Sequence, residues 1–410
     1  MGTLARCARP ACVAAVVLCA VGVAAGDFHG LGGLDAAELY SKAQDVSADG
    51  RVVVGYARAG ADAHFEAFRW TAGDGTVSLG VLPGGTSSKA YAVSGDGGVI
   101  VGRGEDADGA AGFVWRRGEG MSGLDGFYQA SGVSGDGSVV VGRSPTPQEA
   151  MRWTAAGGTV RLGGLDPDDV YSNAASVSAD GAVVVGHTRN TDAWFEAFRW
   201  TARDGMHPLG DLPGGGRASH ALGCSGDGAV VVGRSQSAHF YEAFRWTADG
   251  GMVPLGVLPG GARSEAYDCS ADGSVVVGMS TTAGGAESRA FLWTADGGMR
   301  PLADVLAAEG VDLTGWTLIE ATAVSADGEV VVGSGVNPAG RTEAWRATLP
   351  SPTAAALLTL AAPVLLRRRR LCRDGVAPRA VPPQGATLRG GRTNKVRRIA
   401  ARRTARRVVP

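Results

Sequence analysis

The sequence predicts an all-β protein, namely a closed seven-bladed β-propeller in which N-terminal strands complete the last blade. Three observations indicate this fold. A nine-residue motif occurs seven times, a tryptophan recurs once in every repeat, and each end of the array holds part of one repeat. By length alone the 410 residues could form two or three domains. A repeat of this kind favours a single array, which we place at residues 27–349.

The motif reads Ser-(Ala/Gly)-Asp-Gly-x-Val-(Val/Ile)-Val-Gly. Asp-Gly favours a tight turn, because glycine adopts positive φ freely and aspartate tolerates it. The β-branched run that follows is typical of a buried strand. Seven aspartates at one position are therefore interpreted as turn formers rather than as parts of an active site. The copies begin at Ser47, Ser94, Ser134, Ser178, Ser225, Ser270 and Ser325.

The repeat length and its internal pattern favour a four-stranded blade. Successive motif aspartates are 40 to 55 residues apart, much longer than one coil of a β-helix. Between Val230 and Ser270 we predict four short strands, two of them joined by the hairpin sequence 247–251.

A tryptophan closes the second predicted strand of each repeat, where we expect a wedge that packs neighbouring blades together. In the fifth repeat, Phe244 and Trp246 share one face of that strand. Trp194 and Trp316 fall outside the pattern and are predicted to lie at the surface. The repeated tryptophans are Trp70, Trp115, Trp153, Trp200, Trp246, Trp293 and Trp345.

The two ends of the array are complementary. The seventh repeat stops at Leu349, after its second strand. Residues 27–34 match the third strand of a repeat, and residues 43–47 match the fourth. Joining the ends would complete the seventh blade and close the ring, which leaves no exposed sheet edge.

The flanks differ from the array in composition and charge. Residues 1–26 contain two arginines, an apolar run and small residues, the pattern of a secretory signal peptide, so we expect export.

Residues 367–410 carry 15 Lys/Arg and one Asp, a net charge of +14. Because the whole chain has a net charge of −1 and the leader adds +2, the segment between them carries −17. This acidic body argues against nucleic-acid binding by the folded domain.

Two cysteines, Cys224 and Cys269, belong to the array, and we predict free thiols. Both occupy a position that valine holds in the other repeats, so each is expected to act as a small apolar residue. Equivalent positions of adjacent blades are expected to be too far apart for a disulfide.

Several stretches resemble the extracellular HAF repeat, named for a His-Ala-Phe strand. They include residues 65–70, 239–246 and 289–294, and the Leu-Gly-x-Leu-Pro-Gly-Gly segments at 79–85, 209–215 and 255–261. Most copies here have Glu in place of the family's His. The resemblance covers roughly residues 28–348 and implies no enzymatic activity.

Residues 350–370 are similar to a PEP-CTERM sorting signal, with a Pro motif, a 14-residue apolar segment and four arginines. Ser351 stands where that signal has Glu. The resemblance implies transient anchoring in the inner membrane and cleavage near the Pro motif by an exosortase-type protease. The basic tail, residues 371–410, is predicted to be disordered, or else to be an artefact of the gene end.

No catalytic, cofactor-binding or metal-binding constellation is predicted. The six histidines lack metal-ligand spacing, the motif offers too few oxygens for calcium, and Gly-x-Ser-x-Gly and Cys-x-x-Cys are both absent. Paired carboxylates such as Asp168 and Asp169 are expected at the surface.

We therefore predict an exported, non-enzymatic binding or structural module of the cell surface or extracellular matrix. Its expected partner is an extracellular polysaccharide or a surface protein. The alternative is a propeller hydrolase or lyase acting on polysaccharide, with carboxylates from different blades meeting in one pocket. The variable loops before the Glu-Ala-Phe strand provide candidate ligand-binding residues, although these aromatic side chains would equally serve to cap blade edges. The candidates are His64, Phe65, Trp194, Phe195, His239, Phe240 and Tyr241.

Overall fold

The computed structural model describes residues 26–349, except 36, 38, 61–63, 169, 193, 239 and 283–286. Residues 1–25 and 350–410, which include the predicted leader, sorting signal and basic tail, lie outside the described residues. No helix in the described part of the chain is long and apolar enough to cross a bilayer.

The described residues form seven four-stranded antiparallel sheets, which are the blades of a β-propeller. The chain begins with β1 (Asp27–Gly30) and then builds the blades in order. Blade 1 contains β2 (Ser41–Val46), β3 (Val53–Ala59), β4 (His64–Thr71) and β5 (Gly75–Ser78). Blade 2 contains β6 (Ser88–Val93), β7 (Val99–Asp106), β8 (Gly109–Arg116) and β9 (Gly120–Gly123). Blade 3 contains β10 (Gln129–Val133), β11 (Val139–Arg143), β12 (Ala150–Thr154) and β13 (Gly158–Arg161).

The remaining blades follow the same plan from the inner strand outwards. Blade 4 contains β14 (Ser172–Val177), β15 (Val183–Arg189), β16 (Phe195–Thr201) and β17 (Gly205–Pro208). Blade 5 contains β18 (Ser219–Cys224), β19 (Val230–Gln236), β20 (Tyr241–Thr247) and β21 (Gly251–Gly256). Blade 6 contains β22 (Ser264–Cys269), β23 (Val275–Thr281), β24 (Ser288–Thr294) and β25 (Gly298–Pro301). The helix α1 (Leu302–Ala308) precedes blade 7, which contains β26 (Thr317–Val324), β27 (Val330–Val336), β28 (Thr342–Thr348) and β1.

The seven-bladed fold and its closure by the N-terminus are confirmed, with one correction. β1 pairs antiparallel with β28 from Asp27 opposite Thr348 to Gly30 opposite Trp345, and so supplies the outer strand of blade 7. Residues 43–47, expected as a second closing strand, instead belong largely to β2, the inner strand of blade 1. One N-terminal strand therefore closes the propeller.

The Asp-Gly turns form as expected, and each is held by the serine that begins the motif. In every copy, the serine hydroxyl donates to the aspartate carboxylate at 2.5–2.7 Å. The same hydroxyl accepts the N–H of the first motif valine at 2.8–3.1 Å. Hydrogen bonds from Ser134 and Ser138 lower the pKa of Asp136 to about 2. The aspartates thus act as turn formers.

The residue between serine and aspartate joins each blade to the next around the central channel. Its N–H donates to the corresponding carbonyl of the following blade, and blade 7 donates back to blade 1, with all seven distances between 2.8 and 3.1 Å. We call this the hydrogen-bond ring. Its members are Ala48, Gly95, Gly135, Ala179, Gly226, Ala271 and Ala326.

The wedge between blades is confirmed, but its deepest residue is the phenylalanine rather than the tryptophan. Phe244 is fully buried and packs with Val183, Val185 and Leu212 of blade 4, whereas Trp246 lies half-buried at the edge of the same cluster. In blade 7, Trp345 takes the phenylalanine position, opposite the motif glycine, and is itself fully buried.

Three further sequence expectations have clear outcomes. Cys224 and Cys269 are free and buried, as predicted. Trp194 is 51% exposed, as predicted. Trp316 is half-buried and packs edge-on against Phe28, with ring centroids 5.1 Å apart, so it is only partly at the surface. The helix α1 was not predicted.

Substitutions of glycines at the turns test how closely the blades pack against each other. Gly181 has φ +71°, and a Cβ there would lie 2.5 Å from Cγ2 of Val139 in blade 3. Gly205 in the same blade has φ +74° with nothing within 4 Å of its Cβ position. We expect Gly205→Ala to cost roughly 1–2 kcal/mol from backbone strain. Gly181→Ala should cost about 1–3 kcal/mol more, because the overlap adds to the strain. Denaturant unfolding of both variants measures the difference, and equal losses would contradict this packing.

Candidate functional site

Two positions in each blade lie at the end of the strands farthest from the Asp-Gly turns. One is the residue before the alanine that recurs in every inner strand. The other is the residue that follows the last glycine of the motif. The two lie opposite each other in register in all seven blades. In order of blade, the pairs are Lys42/Tyr56, Lys89/Arg103, Gln129/Arg143, Asn173/His187, His220/Arg234, Glu265/Met279 and Glu320/Ser334. We call these fourteen residues the crown.

Contacts between neighbouring blades join crown pairs around the channel mouth. Lys42 Nζ of blade 1 lies 2.7 Å from Glu320 Oε1 of blade 7. The rings of His187 and His220, in blades 4 and 5, have centroids 4.6 Å apart. These contacts place the crown on one face of the propeller, which we call the crown face, opposite the turns.

The inner-strand bulge makes the last motif glycine necessary at this point. In blade 1, an extra residue, Gln44, lies between Ala43 and Asp45, which pair with Gly55 and Val54. A Cβ on Gly55 would lie 2.0 Å from the carbonyl oxygen of Lys42. The glycine therefore lets the inner strand approach closely.

The crown is chemically asymmetric, although the repeats that carry it are similar. Cations predominate in blades 1–3, the two histidines lie in blades 4 and 5, and the two carboxylates, Glu265 and Glu320, lie in blades 6 and 7. Titratable residues are therefore unevenly distributed around this face of the propeller. Such asymmetry is what a site for a single ligand requires.

Aromatic side chains flank the crown in two groups. Around Tyr56, the Phe65 ring lies edge-on with its centroid 5.3 Å away, and Tyr40 lies 5.6 Å from Phe65. Around the histidine pair, Phe195 lies 5.6 Å from His187, and Tyr241 lies 5.9 Å from His220.

The structure separates the sequence-predicted site residues into two sets. Phe65, Phe195 and Tyr241 are half-buried and contact crown residues. The other described candidates are exposed to solvent. The exposed fraction is 51% for Trp194 and 60% for Phe240, and His64 is also exposed. His239 lies outside the described residues.

Burial controls the charge state of the histidine pair. It lowers the pKa of His187 to about 3, with smaller contributions from His220, Arg234 and Arg143, and lowers that of His220 to about 4. Both imidazoles are therefore neutral at physiological pH, and each has one donor and one acceptor nitrogen.

Unsatisfied polar atoms concentrate on the crown. Of the ten buried side-chain polar atoms without a hydrogen-bond partner in the described residues, five belong to it. Such groups are costly to leave unpaired, so their concentration at one place indicates where a polar ligand would be bound. These atoms are Arg143 Nε, Asn173 Oδ1, His187 Nδ1, His220 Nδ1 and Arg234 Nε.

Both crown carboxylates already have protein partners. Glu320 accepts from Lys42 Nζ at 2.7 Å and from Ser334 Oγ at 2.6 Å. Glu265 lies 3.0 Å from an Arg234 nitrogen and 3.7 Å from an Arg263 nitrogen. They therefore neutralise cations of the crown face.

Below the crown, the channel encloses about 290 Å³ and contains two aspartates from different blades, Asp45 and Asp268. Burial, followed by the charge of Asp268, raises the pKa of Asp45 to about 8, and burial raises that of Asp268 to about 6. Asp45 accepts the N–H of Val93 in blade 2 at 2.8 Å, and Asp268 accepts that of Val324 in blade 7 at 3.0 Å. These hydrogen bonds tie adjacent blades together.

A larger concave region of about 790 Å³ lies on the turn face, where blades 7 and 1 meet. Several of its polar side chains form contacts within the protein that stabilise the fold. Arg346 donates to the Gly50 carbonyl at 3.0 Å, and Arg69 lies 3.4 Å from Asp74. Among the described residues, no group of three or more His, Cys, Asp or Glu side chains is arranged to hold a metal ion.

The sequence contains a signal for the crown at a position directly after the motif. The residue after the last motif glycine changes from Tyr56 to Arg103, Arg143, His187, Arg234, Met279 and Ser334, while the motif itself hardly changes. A position that varies in chemistry within a uniform repeat is one that the repeated motif itself does not specify.

No protein-family model and no characterised protein matches the sequence. Among solved structures, the β-propeller domain of the Trilobed protease from Pyrococcus furiosus matches with a TM-score of 0.49 and 12% identity, over 75% of this chain and 92% of that one. TolB from Acinetobacter baumannii matches with a TM-score of 0.45 and 14% identity, over 62% of this chain. The match spans 63% of that TolB, slightly under two thirds of its length. TM-scores and identities this low support no functional assignment. The evidence for the propeller architecture is the seven sheets described above.

The channel aspartate Asp45 predicts a pH dependence of stability. Its pKa is about 8 in the folded protein and near 4 in an unfolded chain. Between these values the folded state binds the additional proton, so unfolding free energy falls as pH rises, by up to about 1.4 kcal/mol per pH unit. The asparagine of the Asp45→Asn variant cannot take up this proton. In denaturant unfolding, we therefore expect the stability of wild type to fall relative to that of Asp45→Asn from about pH 5 to about pH 8.

Asp136→Asn is the matched control, because hydrogen bonds keep the pKa of Asp136 at about 2. Its stability difference from wild type should stay constant over the same pH range. A constant difference for Asp45→Asn as well would show that Asp45 is ionised in the folded protein.

Proposed function

We propose that this protein is an exported, non-enzymatic propeller that binds an extracellular polysaccharide or a surface protein through its crown face. The observation that carries the proposal is the contrast between the two faces. Equivalent positions on the turn face hold the same serine and aspartate seven times, whereas equivalent crown positions hold lysine, arginine, histidine, glutamate and uncharged residues. Ring formation does not need this variety, whereas recognition of a ligand does.

The carboxylates of the crown and the channel already have protein partners, which supports binding without catalysis. A glycosidase of the usual kind needs one carboxylic acid and one carboxylate flanking the scissile bond. On the crown, Glu265 and Glu320 are both ion-paired to cations. In the channel, Asp45 and Asp268 are used by backbone N–H groups of neighbouring blades.

The alternative, a hydrolase or lyase acting on polysaccharide, is favoured by one specific observation. Asp45 and Asp268 come from different blades, lie in the same channel and have raised pKa values, as catalytic acids often do. A glycan entering the channel mouth would bring its bonds towards this pair.

The sequence resemblances supply the cellular setting of the proposal. A HAF-repeat protein with a signal peptide in residues 1–26 and a PEP-CTERM-like segment in residues 350–370 would be exported, held transiently in the inner membrane and released by an exosortase-type protease. The protein would then act at the cell surface or in the extracellular matrix.

A glycan and exopolysaccharide array, read for both retention and product release, tests the function. We expect retention of at least one glycan, no release of product, and roughly tenfold weaker retention of Trp194→Ala, because losing one well-packed aromatic contact costs about 1–2 kcal/mol. Trp194 is 51% exposed, so the variant should fold. Val160→Ala, at a 49% exposed apolar residue on the outer strand of blade 3, is the matched control and should bind normally.

Release of product, abolished by Asp45→Asn, would replace binding by catalysis as the function. Equal losses in Trp194→Ala and Val160→Ala would remove the crown face as the site.

Intact-mass analysis of the protein recovered from the extracellular fraction tests the proposed sorting. We expect the mature chain to begin near residue 27 and to end near residue 350, because both flanking signals are removed. A secreted species that still carries residues 371–410 would contradict the sorting proposal and leave the crown unaffected.

A further inference from the structure

Three cations of the crown form a continuous arc across blades 2 and 3. Lys89 lies opposite Arg103 in blade 2, and Arg143 holds the corresponding second position in blade 3. We call these three residues the basic arc. Elsewhere on the crown, Lys42 and Arg234 form ion pairs with glutamates. Within the described part of the chain, by contrast, none of the three arc cations forms an ion pair with a carboxylate.

Aromatic rings hold the basic arc in place. Lys89 Nζ lies 4.8 Å from the ring centroid of Tyr56 and 4.6 Å from that of Phe65. The guanidinium carbons of Arg103 and Arg143 lie 4.3 and 4.8 Å from the Tyr128 centroid. A guanidinium stacked on a ring keeps its N–H groups directed outwards in its own plane, where they match the two oxygens of a carboxylate.

The arc is costly to maintain without an anion. Burial lowers the pKa of Lys89, and the charge of Arg103 lowers it further. The Nε of Arg143 is buried without a hydrogen-bond partner in the described residues, although its Nη1 lies 3.2 Å from Gln148 Oε1. An oxyanion between these side chains would relieve the repulsion and satisfy the unpaired donor.

Hydroxyl-bearing side chains beside the arc extend the recognition beyond a simple anion. Tyr91, close enough to Arg103, Arg143 and Tyr128 to interact electrostatically with them, lines the channel below the arc. On the inner strand of blade 3, Gln129 donates to Ser131 of the same strand at 3.1 Å. Phenol and amide groups beside cations suit a ligand that carries hydroxyl groups as well as a carboxylate. That combination is found in an acidic sugar.

The overall charge argues against a polynucleotide at this site. The segment between leader and basic tail has a net charge of −17, and only the basic arc concentrates unpaired positive charge on the crown. A long polyphosphate would extend beyond the arc to Glu265 and Glu320, whereas a sugar carboxylate fits within it.

We propose that the basic arc binds the carboxylate of an acidic sugar residue within a polysaccharide. The proposal rests on the crown being the ligand site, as argued above, and specifies the class of ligand.

Titration calorimetry of the full chain with oligogalacturonate tests it, with the fully methyl-esterified oligosaccharide as the uncharged counterpart. We expect about tenfold or greater weakening for the ester and for Arg103→Gln, since each loses charge-assisted hydrogen bonds. Affinity for the acid should also fall as salt concentration rises. Tyr91→Phe, which keeps the ring but removes the phenol hydroxyl below the arc, should bind the acid more weakly. Equal affinity in this variant would overturn the assignment of sugar hydroxyl recognition to Tyr91.

Arg203→Gln is the matched control. Arg203 lies in the β16–β17 turn on the turn face, and its side chain is 93% exposed beside Asp204. This variant should bind like wild type. An equal loss in Arg203→Gln and Arg103→Gln would overturn the assignment to the arc, and unchanged circular dichroism and melting temperature would exclude unfolding of Arg103→Gln as the cause of its loss.

Two further outcomes separate this proposal from the general one. If the ester binds as well as the acid and Trp194→Ala weakens both, the crown binds glycans but the basic arc does not select a carboxylate. If poly-glutamate competes as strongly as oligogalacturonate, the arc selects acidic polymers without recognising sugar, which overturns the sugar assignment. Binding of neither oligosaccharide would also count against the proposal, whereas retention of another glycan on the array would leave the proposed function standing.

Discussion

The hydrogen-bond ring around the channel is the constraint on which the rest of the propeller depends. Each blade gives one N–H and one carbonyl to it, so the ring closes only when blade 7 meets blade 1. It also limits side-chain size. A Cβ on Gly95 would lie 3.1 Å from the Gly135 oxygen and 3.4 Å from the Ala48 Cβ. This crowding explains why only alanine or glycine follows the motif serine.

The same geometry separates two faces of the propeller that differ in composition. On the turn face, serine hydroxyls, aspartate carboxylates and glycines are all used to hold the turns and pack them on the preceding blade. On the crown face, beyond the bulge, the side chains are not fixed by the repeated motif, and their chemistry differs from one blade to the next. The repeat thus provides a uniform support, and the proposed ligand site rests on the variation of the crown.

Electrostatics divides the crown face further. In blades 6 and 7 the carboxylates of Glu265 and Glu320 neutralise Arg234 of blade 5 and Lys42 of blade 1, at distances of 3.0 and 2.7 Å. In blades 2 and 3 the cations rest on aromatic rings instead. Cation–π contacts hold a cation in place without cancelling its charge, so this half of the crown keeps a positive field. The proposal of an acidic, hydroxylated ligand rests on this half-buried positive charge beside a neutral histidine pair.

The sequence alone determined the number of blades, the turns, the free cysteines and the closure at the N-terminus, because each follows from short local patterns repeated at a regular interval. It misplaced the deepest wedge, since Phe244 and Trp246 share a strand face and only blade packing decides which is fully buried. It also missed α1, and it assigned residues 43–47 to the wrong blade. Three of its candidate site residues, Phe65, Phe195 and Tyr241, do contact the crown. The crown itself depended on tertiary structure, because bulges set the strand register and ring closure brings Lys42 beside Glu320, 278 residues away in the chain.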